Sequence, residues 1–179
     1  GSRTNEFLDM FEEVCREGAI AFEGPHHRFQ KTGFYPIPSD RTPPPIWVGG
    51  SSQAAIDRIA RYGVGWSDLA NPGFDVEHLS SMRDDLQTAW DDEGRKGRPR
   101  IALGFPTRLD EDITSSESHF LFGSPELLID RIETYVENGL DRLLVTPHQT
   151  EPLEALGKAS PEQLEQIRRF GDEIIPRFR

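Results

Sequence analysis

Hydrophobic positions along this chain follow first a helical period, then an alternation of short apolar runs with further helical stripes. Phe7, Leu8, Phe11, Val14 and Cys15 recur at helical spacing from about Asn5 to Arg16, with acids on the other face and Gly18 closing the segment. From Ala19 to Thr42 the pattern is irregular. Phe22-Glu23-Gly24 and Arg28-Phe29 read as a small hairpin around Pro25-His26-His27, and prolines at 36, 38, 43, 44 and 45 keep the next stretch extended. Such an insert, 19–45, is long for a compact domain and is expected to cover a site or strap the surface.

After the insert, strands and helices take turns. Ile46-Trp47-Val48 predicts a strand, and Ala54, Ala55, Ile56, Ile59 and Ala60 mark one face of a helix. Val64–Leu69 predicts a second strand, Asn71-Pro72-Gly73 a turn, and Val76, Leu79, Met82, Leu86 and Trp90 a longer helical stripe ending in the charged Asp91–Arg100 loop. Ile101–Phe105 is the third strand. An acidic loop without apolar period, Leu109–Ser118, lies in a candidate lid at 107–118. Ser124-Pro125-Glu126 is a strong helix start, followed by the face Leu128, Ile132, Tyr135 and Val136 and the stop Asn138-Gly139. Leu140–Val145 is the fourth strand, and Ser160-Pro161-Glu162-Gln163 opens the last helix with a capping box. Uniformly apolar strands separated by helices predict an α/β fold with parallel strands buried on both faces.

The stretch Pro44-Pro45-Ile46-Trp47-Val48-Gly49-Gly50-Ser51-Ser52 combines a strand, two glycines and two serines at a helix start. Glycine lets a ligand approach the backbone, and the first helical amides together with the helix dipole favour an anion such as phosphate. Spacing alone leaves a second reading open: a helix N-cap whose glycines serve a tight turn.

Composition narrows the partners. With 31 acidic and 20 basic side chains, the net charge of −11 disfavours nucleic acid and anionic membrane, both of which need a basic face. No run reaches the length of a membrane span. The lone cysteine, Cys15, forms no internal disulfide and fits a reducing, cytoplasmic setting. Gly1-Ser2 reads as the scar of a cleaved expression tag, leaving 3–179 as one domain.

The order of motifs resembles the C-terminal part of the bacterial luciferase-like oxidoreductase family, whose members use FMN or the deazaflavin F420 on a (β/α)8 TIM barrel. The matching pieces are Pro44–Ser52, Ala54-Ala55, Arg58-Ile59-Ala60, Gly63-Val64-Gly65-Trp66, Phe122-Gly123-Ser124-Pro125-Glu126, Asp130-Arg131-Ile132 and Gly139-Leu140-Asp141-Arg142-Leu143. Phe22-Glu23-Gly24 and Arg28-Phe29 are similar to the family's insert before its fifth strand. The resemblance implies about the last four β/α units of such a barrel, nothing here being similar to its first four strands. It implies a flavin- or F420-dependent oxidoreductase or monooxygenase acting on a small organic substrate, with Gly49, Gly50, Ser51 and Ser52 on the cofactor phosphate. With the ring pocket incomplete, this chain alone is expected to be inactive.

Other candidates carry a plainer alternative beside the functional one. Trp66 ends a strand, either near the cofactor ring or as core packing. His148 follows the last strand, where barrels place functional groups, or is a solvated loop residue. His26 and His27 are adjacent and lack further ligands, so no zinc site is expected. Asp110, Glu111 and Asp112 read as a solvated run, since nothing would push their pKa values apart. P-loop, dinucleotide and nucleophile-elbow motifs are missing. The competing function is a half-barrel without catalysis, a phosphate-ligand binding module or assembly partner. In either case unpaired sheet edges favour a homodimer.

Overall fold

The computed structural model describes residues 1–71, 74–114, 120–147 and 160–178. Helix α1, Ser2–Glu17, leads into an antiparallel hairpin of β1, Ala19–Glu23, and β2, Arg28–Gly33, as the sequence predicts. The buried stripe of α1 is shifted from the expected one: Glu6, Met10 and Cys15 are buried, whereas Phe7 is 57% exposed. Glu6 explains the shift. Its carboxylate accepts the backbone N–H groups of His26 at 3.0 Å and His27 at 2.8 Å, so an acid is drawn inward to hold the hairpin turn.

The rest is a parallel sheet with helices on one side. In chain order come β3 (Trp47–Val48), α2 (Gln53–Tyr62), β4 (Gly65–Leu69), α3 (Val76–Asp92) and β5 (Arg100–Leu109). They are followed by β6 (Leu121–Gly123), α4 (Pro125–Glu137), β7 (Arg142–Pro147) and α5 (Pro161–Arg169), which runs on through a π turn into a last 3₁₀ turn. β3, β4, β5 and β7 lie side by side in that order, every pairing parallel. The predicted caps are made: Ser124 and Ser160 each accept an amide of their helix, and Gln163 completes the capping box. Among the described residues no helix is long and apolar enough to cross a membrane.

Strand register sorts side chains between two faces. Val48, Trp66, Ile101, Leu103 and Phe105 meet Ile56, Ile59, Leu79, Leu86, Leu128 and Tyr135 of the helices, and this layer is the core. The expectation that strands are buried on both faces needs correcting for the strands that flank β5. On the opposite face Leu69 is 63% exposed and Leu144 48% exposed, and Trp47, Ser67 and Arg142 share that side. The expectation holds for the central strand, where Ala102 and Gly104 of β5 are buried on that same face and Arg142 stacks over the Trp47 ring, and fails toward the strand C-termini, where Leu69 and Leu144 lie open among the described residues.

Two further differences have local causes. The third strand runs to Leu109, so 107–109 belong to β5 instead of a loop; Leu109 is buried, and its N–H and C=O both bond the Gln166 side-chain amide. The short strand β6, absent from the sequence reading, pairs with that same end of β5. Residues 115–119 of the candidate lid lie outside the described residues.

Arg95, in the turn after α3, closes the C-terminus of α2. Its Nη1 donates to the carbonyls of Ala60 at 2.9 Å and Gly63 at 2.6 Å, and its guanidinium stacks 3.5 Å from the Trp90 ring centroid. Burial lowers its pKa, yet an arginine stays charged at neutral pH. Arg95→Ala orphans those carbonyls and removes a cation–π contact, so a loss of about 2–3 kcal/mol is expected. Urea unfolding monitored by circular dichroism measures it; a midpoint equal to wild type would refute the capping role.

Candidate functional site

The Gly49–Ser52 turn leaves the C-terminal end of β3 and enters α2, as the sequence predicts. Gly50 sits at φ +92°, a left-handed conformation in which a side chain is strained. Ser52 is the N-cap residue in extended conformation, yet its hydroxyl makes no cap hydrogen bond. Asp75, Ser124 and Ser160 do cap their helices. The amides of Gln53 and Ala54 have no backbone acceptor among the described residues, because the first intrahelical bonds run from Ala55 and Ile56 to the Ser52 carbonyl. Ser51 and Ser52 are exposed. Two hydroxyls and the first-turn amides of α2 are thus uncommitted donors at the C-terminal edge of a parallel sheet, where α/β folds place ligands.

The turn is held from the neighbouring strand. Asp68 accepts the Gly50 N–H on Oδ2 at 3.1 Å and the Leu69 N–H on Oδ1 at 2.8 Å. Sequence reasoning passed over Asp68. A signal existed: an acid stands inside a short predicted strand, two residues after Trp66 and thus on the same face.

Of the other candidates, Trp66 is 3% exposed and points to the helix layer, its ring 6.3 Å from that of Phe74. That position matches core packing, on the sheet face opposite Ser67 and Leu69. Its indole N–H has no hydrogen-bond partner among the described residues. His148 lies outside the described residues. His26 and His27 serve the hairpin turn, and Asp110 pairs with Arg108.

A parallel arc of four β/α units is the architecture of part of a TIM barrel. The sequence model of the luciferase-like monooxygenase family matches residues 1–120, and the chain belongs to that family. Similar solved structures include the monooxygenase RslO1 from Streptomyces bottropensis, at 18% identity and a TM-score of 0.75. The F420-dependent tetrahydromethanopterin reductase from Methanopyrus kandleri is similar at 13% identity and a TM-score of 0.76. The oxygenating constituent of 3,6-diketocamphane monooxygenase from Pseudomonas putida, solved with FMN, is similar at 14% and 0.70. These matches take in 99%, 98% and 98% of this chain but 61%, 63% and 63% of the other chains. The chain therefore spans about three fifths of the length of the structures it matches.

Proposed function

We propose that this chain carries the cofactor-phosphate site of an oxidoreductase or monooxygenase that uses FMN or F420 on a small organic substrate. The observation that carries the reading is the uncommitted donor set at Gly49–Ser52, in a chain of the luciferase-like family. The residues fit a phosphate: the two glycines present no Cβ, Gly50 adopts a backbone other residues strain to reach, and the donors are neutral amides and hydroxyls. When bound, the cofactor supplies the redox chemistry. The chain's own part is to hold the phosphate on Ser51, Ser52 and the α2 amides, and to offer Leu69 and Leu144 as an apolar surface that excludes water.

The Ser51→Ala, Ser52→Ala double variant is expected to bind FMN or F420 at least tenfold more weakly, about the worth of one or two hydrogen bonds to a charged group. Fluorescence titration reads this out, with riboflavin, which lacks the phosphate, as the control. Unchanged affinity for the phosphorylated cofactor would remove this site from the reading.

A second reading, a binding or assembly module without catalysis, draws on the open edges. Among the described residues β3 pairs only with β4 and β7 only with β5. An apolar groove of about 390 Å³, lined by Val136, Leu143, Val145, Phe170, Ile174 and Phe178, runs beside β7. A homodimer belongs to both readings, and cytoplasmic residence accords with the buried free Cys15. A yellow protein supports the first reading; a colourless dimer unmoved by FMN or F420 supports the second.

A further inference from the structure

We infer that Asp68 selects the charge of the phosphate this loop accepts, favouring a singly charged phosphodiester over a doubly charged phosphomonoester. The inference rests on the phosphate reading of Gly49–Ser52. Two hydrogen bonds, from Gly50 N–H and Leu69 N–H, pin both carboxylate oxygens, so the charge stays against the turn instead of swinging into solvent. Asp68 is only partly exposed, which limits screening.

Nothing on the loop offsets that charge. Gly49, Gly50, Ser51 and Ser52 offer neutral donors only, and no ion pair involving Asp68 is formed among the described residues. The neighbouring charged groups of α2 are engaged elsewhere: Asp57 accepts from Gln53, and Arg58 donates to Asn5. Arg100 and Arg142 stand at the opposite, N-terminal ends of their strands. Asp68 also takes the Gly50 amide, one donor that a phosphate would otherwise use. A cradle of neutral donors beside a fixed carboxylate tolerates one negative charge better than two. Between the two cofactors of the family, this favours F420, whose phosphate is a diester, over FMN, a monoester.

The test compares FMN, its 5′-methyl phosphate ester and riboflavin by fluorescence titration of the 179-residue chain at pH 8, where FMN is a dianion. Wild type is expected to bind the ester about tenfold more tightly than FMN, the effect of one charge at a few ångströms in a partly solvated site. Asp68→Asn is expected to bring that ratio to about one. Asparagine keeps one carbonyl acceptor, and any loosening of the turn weakens both ligands together, so the ratio isolates the charge. FMN bound as tightly as the ester by wild type, or a ratio unchanged by Asp68→Asn, overturns the inference while leaving phosphate recognition intact. Riboflavin bound as well as both phosphates, or no binding of any, overturns the phosphate reading and this inference with it.

Discussion

Gly65→Ala should part β4 from β5. A Cβ built on Gly65 would stand 2.1 Å from the Arg100 carbonyl oxygen and 2.7 Å from its carbon, both backbone atoms that no rotamer change can move aside. Gly65 and Arg100 are direct partners at the start of the pairing. Relief requires the strands to separate, which breaks ladder hydrogen bonds and opens the core under Trp66 and Ile101. The expected loss is about 3 kcal/mol or more, which for a chain of this length lowers Tm by roughly 10 °C. Gly171→Ala is the matched control: nothing among the described residues lies within 4 Å of its added Cβ, so a change near zero or a gain of about 0.5 kcal/mol is expected. Thermal unfolding followed by circular dichroism decides; equal Tm values for the two variants would contradict the close-approach argument. The consequence reaches the Gly49–Ser52 turn, because β4 also carries Asp68, which accepts the Gly50 N–H.

Phe105→Ala is expected to cost about 3–5 kcal/mol, the range for truncating a fully buried aromatic. Phe105 is 0% exposed in the middle of β5, with its ring 5.0 Å from Tyr135 of α4 and 6.4 Å from Phe74. The cavity would sit where α4 meets the strand flanked by β4 and β7, so little nearby can collapse into it. Urea unfolding should show a lower midpoint with an unchanged slope. A loss below about 1 kcal/mol would mean the site relaxes, and that α4 is held by something other than this contact.

Much of the arrangement was legible in the chain because its signals are local. Helix starts at Ser124 and Ser160 announced themselves through a hydroxyl followed by proline, and both caps form. The hairpin was legible from the apolar residues on either side of Pro25-His26-His27, and the glycine–serine turn from glycines directly after a β-branched run. What escaped depends on partners far along the chain. Glu6 reads as one more acid on a solvated face until the hairpin turn comes to lie on it, 20 residues later. Leu109 reads as the start of a polar loop until Gln166 supplies its missing strand partner. Arg95 sits in a charged loop and reveals nothing of the helix terminus it closes.

The same division holds for the function. Periodicity, capping chemistry and the order of motifs determined the strand–helix alternation, the parallel sheet and the glycine–serine turn, since each follows from spacing within a few residues. Only the tertiary structure decided which side of the sheet each candidate occupies. It sends Trp66 to the helix layer, leaves Leu69 and Leu144 open on the opposite face, and brings Asp68 to the glycine turn. The physical reason is register: two strands must be laid side by side before a carboxylate 18 residues away can meet the Gly50 amide.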